Sequence, residues 1–167
     1  GGVWTNEELI PSNLDITPEL LGLPDDTLKW WGTTTVGATT DSGETVDEIR
    51  RRNLLRYLHG FDSLNVGGDS SVYDPRHWIM GDVLHSRPVV FNYTEYQPAA
   101  ESVCPESADG GDYNSSVIFV GANDGMLHAF RDCDGKELWG FVPDNVLANL
   151  KYLPETKHTS YVDSPPS

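Results

Sequence analysis

Cationic side chains, cysteine and long apolar runs are all scarce in this 167-residue chain, and each scarcity excludes something. Only 11 Lys and Arg stand against 26 Asp and Glu, a formal net charge of −15. So acidic a chain repels phosphate backbones and anionic lipid, which argues against nucleic-acid or membrane-surface binding by charge. The acidity suits an exported protein or one that meets divalent cations, and it also serves solubility alone. No apolar run approaches the ~20 residues that span a bilayer, so no membrane insertion is expected. The chain opens Gly1-Gly2-Val3-Trp4, without the basic and apolar regions of a signal peptide, and none is expected within it. A Gly-x-Ser-x-Gly nucleophile elbow is missing. Asp62, Asn65 and Asp69 lack the alternating spacing of an EF-hand loop and read as turn residues.

Two cysteines are present, Cys104 and Cys133. Both stand beside turn formers, in Cys104-Pro105 and Asp132-Cys133-Asp134-Gly135, and no redox or zinc motif lies nearby. Two free thiols of a cytosolic protein are one reading. The even count and the loop-like flanks favour a Cys104–Cys133 disulfide instead. Such a bridge would close about 30 residues and restrict the unfolded chain by roughly 3–4 kcal/mol in the loop-entropy account.

What is present is globular. Apolar residues make up 38% and charged residues 22%, with five Trp and seven Tyr, too aromatic for a disordered chain. Glycine and proline together supply roughly one residue in six, a level that points to many turns and a β-rich body. Residues 1–44 show no sustained period. Thr17 and Pro18 could cap and open a short helix that Pro24 ends, and Trp30 and Trp31 need a surface to bury on. The clearest helix spans 45–59. Thr45 and Glu48 make a capping box, Ile49, Leu54, Leu55 and Leu58 an apolar stripe, and Gly60 the stop. Arg50, Arg51, Arg52 and Arg56 read as a solvated face that complements the helix dipole.

From Arg87 the pattern turns to β. Pro88–Phe91, Val117–Val120, Met126–Phe130 and Glu137–Val142 are four short strands. Asn123-Asp124-Gly125 and Asp134-Gly135 supply two tight turns. Pro143-Asp144 then opens a helix through Val146, Leu147 and Leu150. Four short strands in succession form a meander, the anatomy of one β-propeller blade. A blade cannot bury both faces without neighbours, so a longer polypeptide is expected. A stand-alone α+β domain, with helix 45–59 covering the sheet, is the alternative.

The run from Val117 to Phe130, Val-Ile-Phe-Val-Gly-Ala-Asn-Asp-Gly-Met-Leu-His-Ala-Phe, followed by Asp134-Gly135-Lys136-Glu137-Leu138-Trp139-Gly140-Phe141, resembles the repeat of quinoprotein-type propellers. In that repeat Asp-Gly makes the hairpin and the late Trp docks between blades. Gly81-Asp82-Val83-Leu84-His85-Ser86-Arg87-Pro88-Val89 resembles the segment that opens the propeller of the PilY1/PilC family of type IV pilus proteins. Phe141–Leu150 is similar to the helix after that family's first blade, and Tyr161-Val162-Asp163-Ser164-Pro165 to its lead into the next. Arg52–Gly60 is similar to the helix ahead of the propeller, although the family usually has Arg where His59 stands. The matches cover roughly residues 45–165 in the family's order; residues 1–44 match nothing nameable.

The resemblance implies a mainly β fold: a partial propeller of about one four-stranded quinoprotein-like blade and the start of the next, with flanking helices. Residues 1–44 would be an irregular lead-in, 45–80 a helix and loop, and 81–167 the blade, its following helix and the next blade's start. It also implies a non-enzymatic protein, exported to the cell surface and pilus tip, that promotes pilus assembly and attachment. Implied partners are the rest of the propeller or another chain completing it, minor pilins, and a host or abiotic surface. The family's calcium loop lies further into the propeller, so calcium is a possibility for the parent protein and no ligand is carried over. No catalytic or cofactor-binding residue is assigned. A pyrroloquinoline dehydrogenase is disfavoured because its adjacent cysteine pair is missing; an outer-membrane assembly scaffold is the third reading.

Among individual residues, Gly121, Asp124, Gly125, Gly135 and Trp139 are expected to be structural, with Trp139 packed between blades. His85, Ser86 and Asp82 point to different faces and make no triad. His85, His128 and His158 could be imagined as a zinc trio, but His128 sits mid-strand with Met126 and Phe130 and reads as a satisfied core histidine. Asn92-Tyr93-Thr94 and Asn114-Ser115-Ser116 fit the glycosylation sequon, a motif short enough to arise by chance.

Overall fold

In the computed structural model, the structure describes residues 8–25, 43–64, 73–77, 79–93, 116–155 and 161–162. Trp30, Trp31, Asn65, Asp69, Cys104, Asn114, His158 and 163–165 lie outside them, with what the sequence suggested there. The chain divides into two compact units, Gly1–Ile79 with Asp144–Thr159, and Met80–Pro143 with Ser160–Ser167.

In the first unit, the helix expected from Thr17 is a single turn. Thr17 Oγ1 accepts from the Leu20 amide at 3.4 Å, so the cap is real. Gly22, at φ +62°, ends the turn at once. The Leu23 amide donates to Pro18 O and the Gly22 amide to Glu19 O, a Schellman pair. The longer helix α1, Val46–Leu58, carries the expected capping box: the Glu48 amide donates to Thr45 Oγ1, and the Thr45 amide to Glu48 Oε2. It closes on a second Schellman pair, Phe61 N–H to Arg56 O and Gly60 N–H to Tyr57 O, with Gly60 at φ +87°.

The arginine reading of α1 is corrected. Arg50 and Arg51 are only 2% and 6% exposed, and the buried face runs Asp47, Arg50, Arg51, Leu54, Leu55 at helical spacing. Arg50 Nη1 pairs with Asp47 Oδ1 at 3.0 Å. Arg51 donates to the carbonyls of Pro11, Asn13 and Ile16. A lead-in without regular structure leaves carbonyls unpaired, and a five-donor guanidinium can collect several at once. Ile49 and Leu58 are only half-buried.

The chain returns to this unit as α2, Asp144–Leu147, followed by a 3-10 turn over Leu150–Tyr152. Amides from Asn149 onward bond three residues back, so the expected single helix is split. Lys151 Nζ donates to Gly22 O at 2.9 Å and meets Asp25 Oδ2 at 3.0 Å, joining residues over 120 apart in sequence. Leu21, Leu23, Leu54, Leu55 and Leu150 are this unit's fully buried side chains. Each contributes about 1.5–3 kcal/mol by leaving water.

The second unit is one four-stranded antiparallel sheet in sequence order: β1 Val89–Asn92, β2 Ser116–Gly121, β3 Leu127–Arg131 and β4 Glu137–Phe141. The Asn123-Asp124-Gly125 turn is a three-residue loop between the paired Ala122 and Met126. The Gly125 amide donates to Ala122 O, and Gly125 takes φ +87°, the left-handed position such loops require. In the next turn Asp134 receives the Lys136 amide and the Arg131 guanidinium. Those donors hold its carboxyl down at about 2.

Strand alternation and register sort the side chains onto two faces. One face carries Val89, Phe91, Val117, Phe119, Leu127, Ala129, Trp139 and Phe141. The other carries Val90, Ile118, Val120, His128 and Phe130. Trp139 stands opposite Ala129, which stands opposite Phe119. The small alanine lets the two rings meet across it at 5.7 Å.

Candidate functional site

The sheet's most unusual feature is a buried charged cluster. His128 is 5% exposed, near the start of β3. Its Nδ1 lies 2.7 Å from Glu137 Oε1, and its Nε2 lies 3.0 and 3.2 Å from the two Asp124 oxygens. Ionised carboxylates only accept, so the geometry satisfies all three groups when both ring nitrogens donate, that is, when the ring is an imidazolium. Phe130 stacks beside it at 5.8 Å.

Each partner is brought in by a local device. Asp124 belongs to the β2–β3 turn, where Oδ1 also accepts the Met126 amide at 3.0 Å. Its Oδ2 accepts the Gly81 amide at 2.8 Å. Gly81 must be glycine, because a Cβ there would come within 2.3 Å of the Asp124 nitrogen. Glu137 reaches His128 through a β-bulge. Ala129 pairs with Trp139 but Phe130 pairs with Glu137, so Leu138 is the extra residue. Without that extra residue Glu137 would point to the opposite face.

Burial opposes charge on both buried groups, yet partners prevail. Burial would push the His128 pKa down; hydrogen bonds and charge from Asp124 and Glu137 leave it raised above the ordinary histidine value. Burial would push Asp124 up; His128 and the Gly81 and Met126 amides leave it lowered. Chemically, the cluster can hold a proton and join three segments. With both nitrogens engaged, His128 offers no lone pair to a metal or substrate. Among the described residues no group of three His, Cys, Asp or Glu side chains is placed to hold a metal ion.

His128 is thus the satisfied core histidine expected from its strand position, and Asp124 combines its turn role with a contact the sequence reading missed. An Asp in a turn four residues ahead of a strand His was the available signal. For Glu137 there was none, because a bulge leaves no mark in composition. Gly121 is held closely: its amide donates to Ser86 Oγ at 3.0 Å, and a Cβ would meet Val162 O at 2.6 Å. Gly135 stands in the second turn at φ +68°. Ser86 is buried beside Gly121 while His85 is exposed. Asn92 accepts from Ser116 Oγ at 2.5 Å. Trp139 is 46% exposed, and β1 and β4 are exposed along their whole length. Cys133 lies in the second turn, while its expected partner Cys104 is outside the described residues. No described helix is long and apolar enough to cross a membrane.

A four-stranded antiparallel sheet in sequence order, with short helices and a buried ion cluster, defines a mainly β segment. Comparison with known sequences then places the chain in the PilY1 family. It is 35% identical over 147 residues to a "Type IV pilus biogenesis factor PilY1 homolog" of Xylella fastidiosa, covering 79% of this chain and 10% of that protein. It is 32% identical over 132 residues to the "Type IV pilus biogenesis factor PilY1" of Pseudomonas aeruginosa strain PAK, covering 72% of this chain and 11% of that protein. The chain spans about a tenth of the length of the curated relatives it matches. No family model matches it. No solved structure matches it either.

Proposed function

We propose that the chain is a scaffold segment of a type IV pilus biogenesis factor and supplies one four-stranded blade of a β-propeller. The similarity to the PilY1 biogenesis factors carries this reading. The meander order and the exposed aromatic face around Trp139 support the blade, since a blade is covered by its neighbours. The segment is non-enzymatic and exported, and it acts at the cell surface with the pilus machinery. There it serves assembly, contact with minor pilins and attachment to host or abiotic surfaces. The rest of the propeller completes the sheet's surroundings. A Cys104–Cys133 bridge ties the loop after β1 to the β3–β4 turn. No calcium ligand is assigned to these residues.

The test is in-frame removal of residues 80–143 from the longer protein in its own cell. Surface pili counted by electron microscopy should fall to the level of the full deletion. Wild-type piliation with the shortened protein still exported would refute the role. A quinone-type absorbance in the purified longer protein would favour the dehydrogenase instead.

A further inference from the structure

We propose that Asp124, His128 and Glu137 form a proton-operated staple, closed while His128 is an imidazolium and opened when it loses that proton. The inference rests on geometry. One ring bridges two carboxylates at 2.7 and 3.0 Å, and those carboxylates come from different parts of the sheet, the β2–β3 turn and the bulged start of β4. A neutral histidine keeps one N–H only, so deprotonation turns one donor into an acceptor facing a carboxylate. That arrangement is repulsive in a site where side-chain exposure is 6% for His128 and 12% for Asp124. The charges acting on the ring are Asp124 from the turn and Glu137 from β4. On its own strand, Arg131 points to the opposite face. The segment before β1 meets the cluster through the Gly81 amide.

The connections determine what opening does. Asp124 holds Gly81 and Met126 by their amides, so a turn that shifts to avoid neutral His128 loosens residues 80–82. Glu137, half-exposed, is free to swing to solvent, which releases the start of β4. The direction follows from linkage. A raised histidine pKa means that the staple contributes fully below the unfolded value of about 6.5 and is lost as pH rises through the folded value. Asp124, lowered, contributes above its unfolded value of about 3.9 and is lost on acidification. The staple is therefore strongest in mildly acid solution and opens toward alkaline pH.

The experiment is a proton–carbon NMR titration of the histidine rings in the whole chain from pH 5 to 9.5, with hydrogen exchange at Gly81 and Met126. His128→Gln assigns the resonance. Wild-type His128 should titrate above the ordinary histidine value of about 6.5, and exchange at both amides, corrected for its intrinsic pH dependence, should speed up by about tenfold across that step. Glu137→Gln keeps the acceptor and removes the charge, on a side chain exposed enough for the fold to persist. It should move the His128 midpoint down. The proposal is overturned if His128 titrates at or below the ordinary histidine value, or if Glu137→Gln leaves its midpoint in place. It is also overturned if amide exchange is indifferent to the step.

Discussion

Arg51 shows how far one side chain can organise a segment with little regular structure of its own. Its guanidinium gathers the carbonyls of Pro11, Asn13 and Ile16, while its helix position was set by α1. Arg51→Ala would leave these part-buried acceptors without their charged donor, and the loss expected is about 2–3 kcal/mol by urea unfolding. Arg51→Lys should recover only a fraction, because an ammonium lacks the planar fork. Trp139 makes the opposite case. Nearly half exposed, it rests mainly on Phe119 across Ala129. Trp139→Ala should cost about 1–2 kcal/mol in this chain and about 3–5 kcal/mol in the longer protein, if another blade covers the ring there. Equal losses in the two settings, from paired chemical denaturations, would remove the covering blade. An arginine in a helix pattern reads as solvated because most are; only a neighbour 35 to 40 residues away makes it a core residue.

At the scale of elements, helix and turn chemistry were legible because they are local. The capping box of α1, the stop at Gly60 and the three-residue turn at 123–125 all depend on residues within six positions of one another. Thr45→Ala should lower stability by about 1 kcal/mol, measured by thermal melting, since it strips an N-terminal amide of its acceptor. Thr45→Ser should be close to neutral. The length of the Thr17 turn and the split after Leu147 were not legible. Both are settled by packing against distant residues: Gly22 abuts Ala148, and Lys151 reaches back to Gly22 and Asp25. The bulge at Leu138 escaped for the same reason, since it is a property of a strand pair and not of a strand.

At the scale of the whole molecule, covalent closure and neighbouring sheet each carry a test. A disulfide between Cys104 and Cys133 should appear as a mass two daltons below the reduced chain. Cys133→Ser should then lower unfolding free energy by roughly 3–4 kcal/mol, less whatever strain the bridge carries. Thiol labelling of unreduced protein at both cysteines would dismiss the bridge. Among the described residues β1 and β4 are the edge strands and are exposed along their length, a reason for this sheet to be covered in a longer protein.

Strand number, turn positions, the principal helix and the family itself were readable from residue order, because short-range hydrogen bonding and period-two or helical patterning are written locally. The placement of charge was not. Burial of Arg50 and Arg51, the pairing of His128 with Asp124 and Glu137, and the closeness of Gly81 to that cluster all depend on long-range geometry. The scarcity of cationic side chains thus takes on a physical meaning in the fold. Several of the few that exist, among them Arg50, Arg51 and Lys151, are turned inward onto carbonyls and carboxylates, because burying a charge is tolerable only where partners surround it.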